Sequence, residues 1–161
     1  MSIQVGERIP EVVLKRIRDG IETLDTRTLF RGRKVVLFGV PGAFTPTCSA
    51  RHLPGYVEHL DEFIRRGIAV VCIAVNDPFV MQAWARDQHV PDSLPLLSDG
   101  NGDLTRALGL EMDASASGMG LRCRRFALLA DDGIVRQLHV EAPGEFKVSA
   151  ADYVLEHLPD D

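Results

Sequence analysis

Two runs constrain this chain more than anything else in it: KVVLFGV, residues 34–40, and IAVVCIAV, residues 68–75, each continuous, apolar and rich in β-branched side chains. A strand with apolar residues at successive positions shows them to both faces of its sheet, so both faces must be covered. The stretch between the runs supplies one cover. Leu53, Val57, Leu60 and Ile64 recur at helical spacing and draw an apolar stripe along a helix over 48–66, with Gly67 as its C-terminal cap. Pro54 lies inside that helix and cannot donate to the carbonyl four residues back, so a kink is expected there. Strand, helix, strand in this order is a parallel βαβ unit with a right-handed crossover.

The other elements fall around this unit. VVLKRI, the pair Asp19-Gly20 and IETL read as a β-hairpin, because Asp-Gly supplies the positive φ angles of a tight primed turn. A short helical turn follows over Thr26 to Phe30. Asn76 or Asp77 caps a helix with Pro78 at its first position, running through Val80, Met81 and Trp84 to about residue 88. LPLLSD reads as a short strand and DLTRALG as a helix ending at Gly109, while residues 111–121 are small and polar and read as a surface loop. CRRFALLA, a turn at Asp131-Asp132-Gly133 and IVRQLHV form a second hairpin. Ser149 with Asp152 three residues on reads as a capping box for a last helix over 150–158. The sum is one α/β domain over residues 1–161, its mixed sheet flanked by helices on both faces.

Composition narrows the function classes. A chain of 161 residues with 45% hydrophobic and 25% charged residues is large enough to bury a core without staples. Its net charge of −5 and lack of a basic patch argue against nucleic acid or an anionic membrane as partner. No charged n-region followed by an apolar h-region opens the sequence, which reads as cytoplasmic. Cys48, Cys72 and Cys123 form no CxxC and have no partnering histidine pairs, so neither a disulfide framework nor a metal site is expected.

Cys48 has the most distinctive surroundings. From Val35 to Ala50 there is no Asp, Glu, Lys, Arg or His, and the run is broken by Pro41, Gly42 and Pro46. Cys48 thus sits where a strand has ended and a helix begins, after a loop stiffened by two prolines. The unpaired N–H groups and positive dipole end of a helical first turn favour thiolate over thiol. A thiol of pKa about 8.5 is only about 3% ionised at pH 7, so lowering it to about 6 gains roughly 30-fold. That makes a reactive cysteine but not a catalyst, and the remaining acceleration must come from groups that organise a transition state. Thr45, three residues earlier, offers a hydroxyl for this, and Pro41 a wall against water. His52, one turn beyond Cys48, either helps hold the thiolate or simply packs. No orienting set for a cysteine protease is legible, the Cys-x5-Arg cradle of a cysteine phosphatase fails at Pro54, and TCSA is not the CxxC of a disulfide exchanger.

Pro41, Thr45 and Cys48 meet the spacing P-x-x-x-T/S-x-x-C, and with it the sequence resembles the peroxiredoxins. FGVPGAFTPTCSARHLPG, VNDPFVMQAWA and RRFALLADDGIV resemble the type II, glutaredoxin-coupled group in particular, and the likeness runs from about residue 3 to residue 158. The resemblance implies a thioredoxin-like fold without a cofactor, in which Arg125 reaches back to Cys48. It implies attack of the Cys48 thiolate on a hydroperoxide, held by Arg125, the Thr45 hydroxyl and backbone N–H groups near Gly42 and Cys48, with sulfenic acid as product. A noncovalent homodimer is also implied, with Phe44, Phe79, Met81 and Trp84 as either core or subunit contact.

Some relatives carry a resolving cysteine where this chain has Ser149. Cys72, in mid-strand, reads first as a small hydrophobe, and Cys123 shares a strand face with Arg125 if the strand already runs there. Either is a candidate to resolve Cys48. The expectation is nevertheless a one-cysteine peroxidase reset by an external thiol, glutathione with glutaredoxin first and thioredoxin second. The alternative is a redox sensor or holdase on the same fold, signalling through Cys48.

Overall fold

The computed structural model describes residues 2–159. Seven strands form one sheet, in the order β2-β1-β5-β4-β3-β8-β9. The two apolar runs are its centre: β3 (Lys34–Gly39) and β4 (Ile68–Ala74) pair in parallel, with Val36 opposite Val70 and Phe38 opposite Cys72. β5 (Leu96–Ser98) continues the parallel part beyond β4. Antiparallel hairpins close both edges, β1 (Val13–Ile17) with β2 (Ile21–Asp25), and β8 (Phe126–Asp131) with β9 (Ile134–Val140). Each hairpin turns on the expected Asp-Gly pair, whose four φ angles are all positive.

The pleat of β3 and β4 divides the core. Val36, Phe38, Val70 and Cys72 face α2 (Leu53–Arg65), α3 (Pro78–Asp87) and α5 (Ala151–Glu156), whereas Val35, Leu37, Val71 and Ile73 pack with α1 (Thr26–Phe30) and α4 (Asp103–Leu108). This double cover is why neither strand shows a polar position after Lys34. Asp77 caps α3 by accepting from the Val80 N–H, and Gly109 closes α4.

The structure corrects several expectations. The buried stripe of α2 is Leu53, Tyr56, Leu60 and Phe63; Val57 is half-buried and Ile64 is 48% exposed, because the aromatic rings set the helix rotation. Residues 111–121 are not one loop. β6 (Glu111–Asp113) pairs with β7 (Leu121–Cys123) in a separate two-stranded sheet, joined through a short helical turn. β8 begins at Phe126 rather than Cys123, so Cys123 and Arg125 lie in no common strand. Ser149 does not cap α5, whose N-cap is Ala150, because its hydroxyl is committed to Glu141. Met81 and Trp84 are core, whereas Phe44 and Phe79 are 52% and 61% exposed.

Candidate active site

The segment joining β3 to the helix is fixed by bonds from three directions. The Val40 N–H donates to Ile73, the Cys123 thiol to the Val40 carbonyl at 3.1 Å, and the Ala43 N–H to the Asn76 side-chain oxygen at 2.9 Å. Asn76, the alternative to Asp77 as cap of α3, is therefore a brace for this loop. At the end of β3 only glycine fits, because a Cβ on Gly39 would lie 2.2 Å from the Phe126 ring. That contact seats Phe126 against the strand, and with it the neighbouring Arg125.

The helix begins at Pro46, two residues before Cys48, which places the thiol in its first turn. Thr45 precedes it and donates its hydroxyl to the Gly42 carbonyl at 2.6 Å. With its proton directed inward, the Thr45 oxygen is left to accept from whatever enters the site. Residues Cys48–His52 form a π turn, in which the Leu53 N–H reaches the Cys48 carbonyl. This wide turn just before Pro54 absorbs the distortion expected of that proline. The Trp84 indole N–H of α3 donates to the Ser49 hydroxyl at 3.0 Å and ties the turn down.

Arg125 comes from the two-residue gap between β7 and β8. One terminal nitrogen, Nη2, donates to Cys48 Sγ at 3.3 Å, and the other, Nη1, donates to His52 Nδ1 at 2.9 Å. The His52 Nε2–H donates in turn to the Ser149 carbonyl at 3.1 Å, and the Tyr56 hydroxyl donates to the same oxygen at 2.7 Å. Because guanidinium only donates and a carbonyl only accepts, these partners fix His52 as the neutral Nε2–H tautomer. Burial first, then the Arg125 charge, lower its pKa to about 3 against the opposing bond to Ser149. Both ring nitrogens of His52 are bonded elsewhere than to the thiol; the ring orients the residue that does bond it.

Phe146 covers the group. Its ring meets His52 edge-on at 5.1 Å between centroids and lies under the Arg51 guanidinium at 4.7 Å. A cavity of about 520 Å³ opens here, lined by Pro41, Thr47, Arg51, Arg125 and Phe146 among others. Cys48 does not line it; fully buried, it is linked to the cavity through its bond from Arg125.

The other thiols stand apart. Cys72 is buried in mid-β4, and burial pushes its pKa up. Cys123 belongs to the core on the opposite face of the sheet from Cys48, and burial pushes its pKa up as well. Both are poor nucleophiles where they lie. Sequence reading missed Glu141, Phe146 and the bracing role of Asn76; only the fold brings them to the site.

Residues 4–155 match the Redoxin family. The chain is 49% identical to peroxiredoxin-2E-2, chloroplastic, of Oryza sativa subsp. japonica, over 98% of its own length and 73% of the relative's. It is 45% identical to peroxiredoxin-2B of Arabidopsis thaliana, over 97% of this chain and 98% of that one. The crystal structure of reduced Prx3 from Vibrio vulnificus in complex with hydrogen peroxide superposes with a TM-score of 0.91 at 44% identity, covering 96% of this chain and 98% of that chain. The chain is therefore a peroxiredoxin, a thiol peroxidase on the thioredoxin-like fold.

Proposed function

We propose that Cys48 is the peroxidatic residue and that an external thiol resets it. The observation that carries the first part is the Arg125 Nη2–H donating to Cys48 Sγ at 3.3 Å beside a cavity walled by Pro41. Sulfur attacks one peroxide oxygen, the O–O bond breaks, and the leaving oxygen takes a proton as water or alcohol, leaving Cys48 sulfenic acid. Negative charge passes from sulfur to the leaving oxygen. Arg125 stays charged throughout, and a guanidinium offers several donors in one plane to both atoms. Thr45 accepts a hydrogen bond from the peroxide and so orients it, alongside backbone N–H groups near Gly42 and Cys48.

Reset follows from where the other thiols lie. Cys72 and Cys123 are fully buried, with pKa values raised, and Ser149 forms no disulfide. The reductant is then an external thiol, which condenses with the sulfenic acid to a mixed disulfide and water. A second thiol releases Cys48 and leaves as the oxidised disulfide. Glutathione with glutaredoxin is the first candidate and thioredoxin the second. Because Cys48 is buried, mixed-disulfide formation requires the exposed 142–145 segment or the first helical turn to give way.

Steady-state peroxide consumption tests this. Turnover is expected with glutathione and glutaredoxin, and a double variant Cys72→Ala, Cys123→Ser is expected to retain most of it. Loss of turnover in a folded double variant contradicts external reset, and absence of turnover with every thiol donor contradicts the peroxidase reading. The noncovalent homodimer expected from the family belongs to the same proposal. Phe44 and Phe79 are the exposed aromatic rings it would cover, and sedimentation of Phe79→Glu is expected to show monomer.

A further inference from the structure

The loop after β9 is closed by a single buried carboxylate. Glu141 is 4% exposed, and its Oε2 accepts from the Lys147 N–H at 2.7 Å, the Ser149 N–H at 2.8 Å and the Ser149 hydroxyl at 2.6 Å. Burial alone would raise the pKa of this carboxyl, but the bonds from Ser149, Lys147 and Val148 outweigh it and hold it below its ordinary value. The carboxylate thus stays charged and ties residue 141 to residues 147–149. Glu141 is also bound to the arginine segment through its main chain: its N–H donates to the Arg125 carbonyl at 2.9 Å, and Arg124 Nη2 donates to the Glu141 carbonyl at 3.4 Å.

Two features of this closed loop face the site. The Ser149 carbonyl receives His52 Nε2–H, and Phe146 lies against His52 and both Arg51 and Arg125. From Glu141 the contacts run without a break through Ser149, His52 and Arg125 to Cys48 Sγ, with every link between 2.6 and 3.3 Å. A guanidinium reaching out of a two-residue gap has several rotamers; one anchored at Nη1 has few. Fixing Nη1 also fixes where Nη2 points, and misplacement of such a group by about 1 Å costs on the order of 100-fold in rate.

We propose that Glu141 and Ser149 are positioning residues of the peroxidase reaction: they set Arg125 on Cys48 through the Ser149 carbonyl and His52. This rests on the peroxidatic role proposed above for Cys48. Neither residue touches the reacting atoms, and neither is reached by local sequence pattern.

The test uses Trp84, the single tryptophan, whose indole is bonded to the residue after Cys48 and so reports oxidation by fluorescence. Rapid mixing of the reduced protein with hydrogen peroxide is followed for wild type, Glu141→Ala, Glu141→Gln, His52→Ala and the double variant Glu141→Ala, His52→Ala. The expected loss in Glu141→Ala is about tenfold, with Glu141→Gln recovering part of it through the retained oxygen acceptor. Adding Glu141→Ala to His52→Ala is expected to cost little more, because the first acts through the second. Full additivity of the two losses, or a folded Glu141→Ala oxidised at the wild-type rate or faster, overturns the proposal. Should Glu141→Ala not fold, Ser149→Ala removes one of the three bonds and is expected to lose about threefold, and an unchanged rate there overturns it equally. Failure of the wild type to react at all is a different result and counts against Cys48 as the peroxidatic residue.

Discussion

Replacing Arg125 with alanine is expected to slow oxidation of Cys48 by hydrogen peroxide by about 100- to 1000-fold, or roughly 3–4 kcal/mol of barrier, the usual effect of deleting one fixed donor at a developing charge. The side chain is the only cation hydrogen-bonded to Cys48 Sγ among the described residues, and the Val35–Ala50 segment around the cysteine contains no charge to replace it. Lysine is a poor substitute. A single ammonium at the end of a flexible stem does not span both His52 Nδ1 and Cys48 Sγ as the two ends of the guanidinium do, so Arg125→Lys is expected to recover only a small part of the rate. Stopped-flow oxidation of the three proteins decides this, and a Lys variant at the wild-type rate would show that charge alone suffices. Arg125→Ala also leaves the buried His52 Nδ1 without its donor, which costs about 1–3 kcal/mol of stability unless water enters.

The second large effect concerns pH and His52. Its pKa is about 3 in the folded protein against 6.5 ordinarily. Between these values the unfolded chain binds a proton at this residue and the folded chain does not. Stability therefore falls as pH falls, by about 1.4 kcal/mol per pH unit over most of the interval, several kcal/mol in all. Above about pH 6.5 the residue contributes no slope. Denaturant unfolding of wild type and His52→Gln from pH 7 to pH 4 isolates the contribution, since glutamine does not titrate. The stability difference between them is expected to narrow steadily as pH drops, whereas parallel curves would mean that His52 takes up its proton in the fold as readily as in the unfolded chain. Burial is the first cause of the lowered pKa and Arg125 the second, because a second N–H on Nδ1 would face a guanidinium that only donates.

Much of this fold is legible in the sequence for a simple reason: its central strands and covering helices are long enough to show their period. After Lys34, KVVLFGV and IAVVCIAV are apolar at every position because β3 and β4 are covered on both faces, and both hairpins turn on the Asp-Gly pairs at 19–20 and 132–133. What escapes is short or distant. β6 and β7 have three residues each, too few for an alternation to be visible, and small polar residues between them mimic a loop. The strand break at Arg124-Arg125 lies inside a run that reads as continuous, so the expected shared face of Cys123 and Arg125 does not exist.

The site divides in the same way. Pro41, Thr45 and Cys48 are local, and their spacing is a sequence property; the approach of Arg125 follows from family resemblance alone. The partners of His52 were open, because two opposite roles fit a histidine one turn past a cysteine. Its ring turns out to be spoken for by Arg125 on one side and by Ser149, 97 residues away in the chain, on the other. Ser149 itself shows how a local signal misleads: Ser-x-x-Asp has the form of a capping box, yet the buried carboxylate of Glu141 offers the hydroxyl a charged acceptor, which the helix end does not.

The central claim is that one thiol carries the chemistry. Reduced protein treated with one equivalent of hydrogen peroxide in the presence of a sulfenic acid trap, then digested and weighed peptide by peptide, tests it directly. The account predicts the trapped adduct on the peptide containing Cys48, free thiols at Cys72 and Cys123, and no internal disulfide; an adduct at either other cysteine, or a disulfide joining one of them to Cys48, would contradict it.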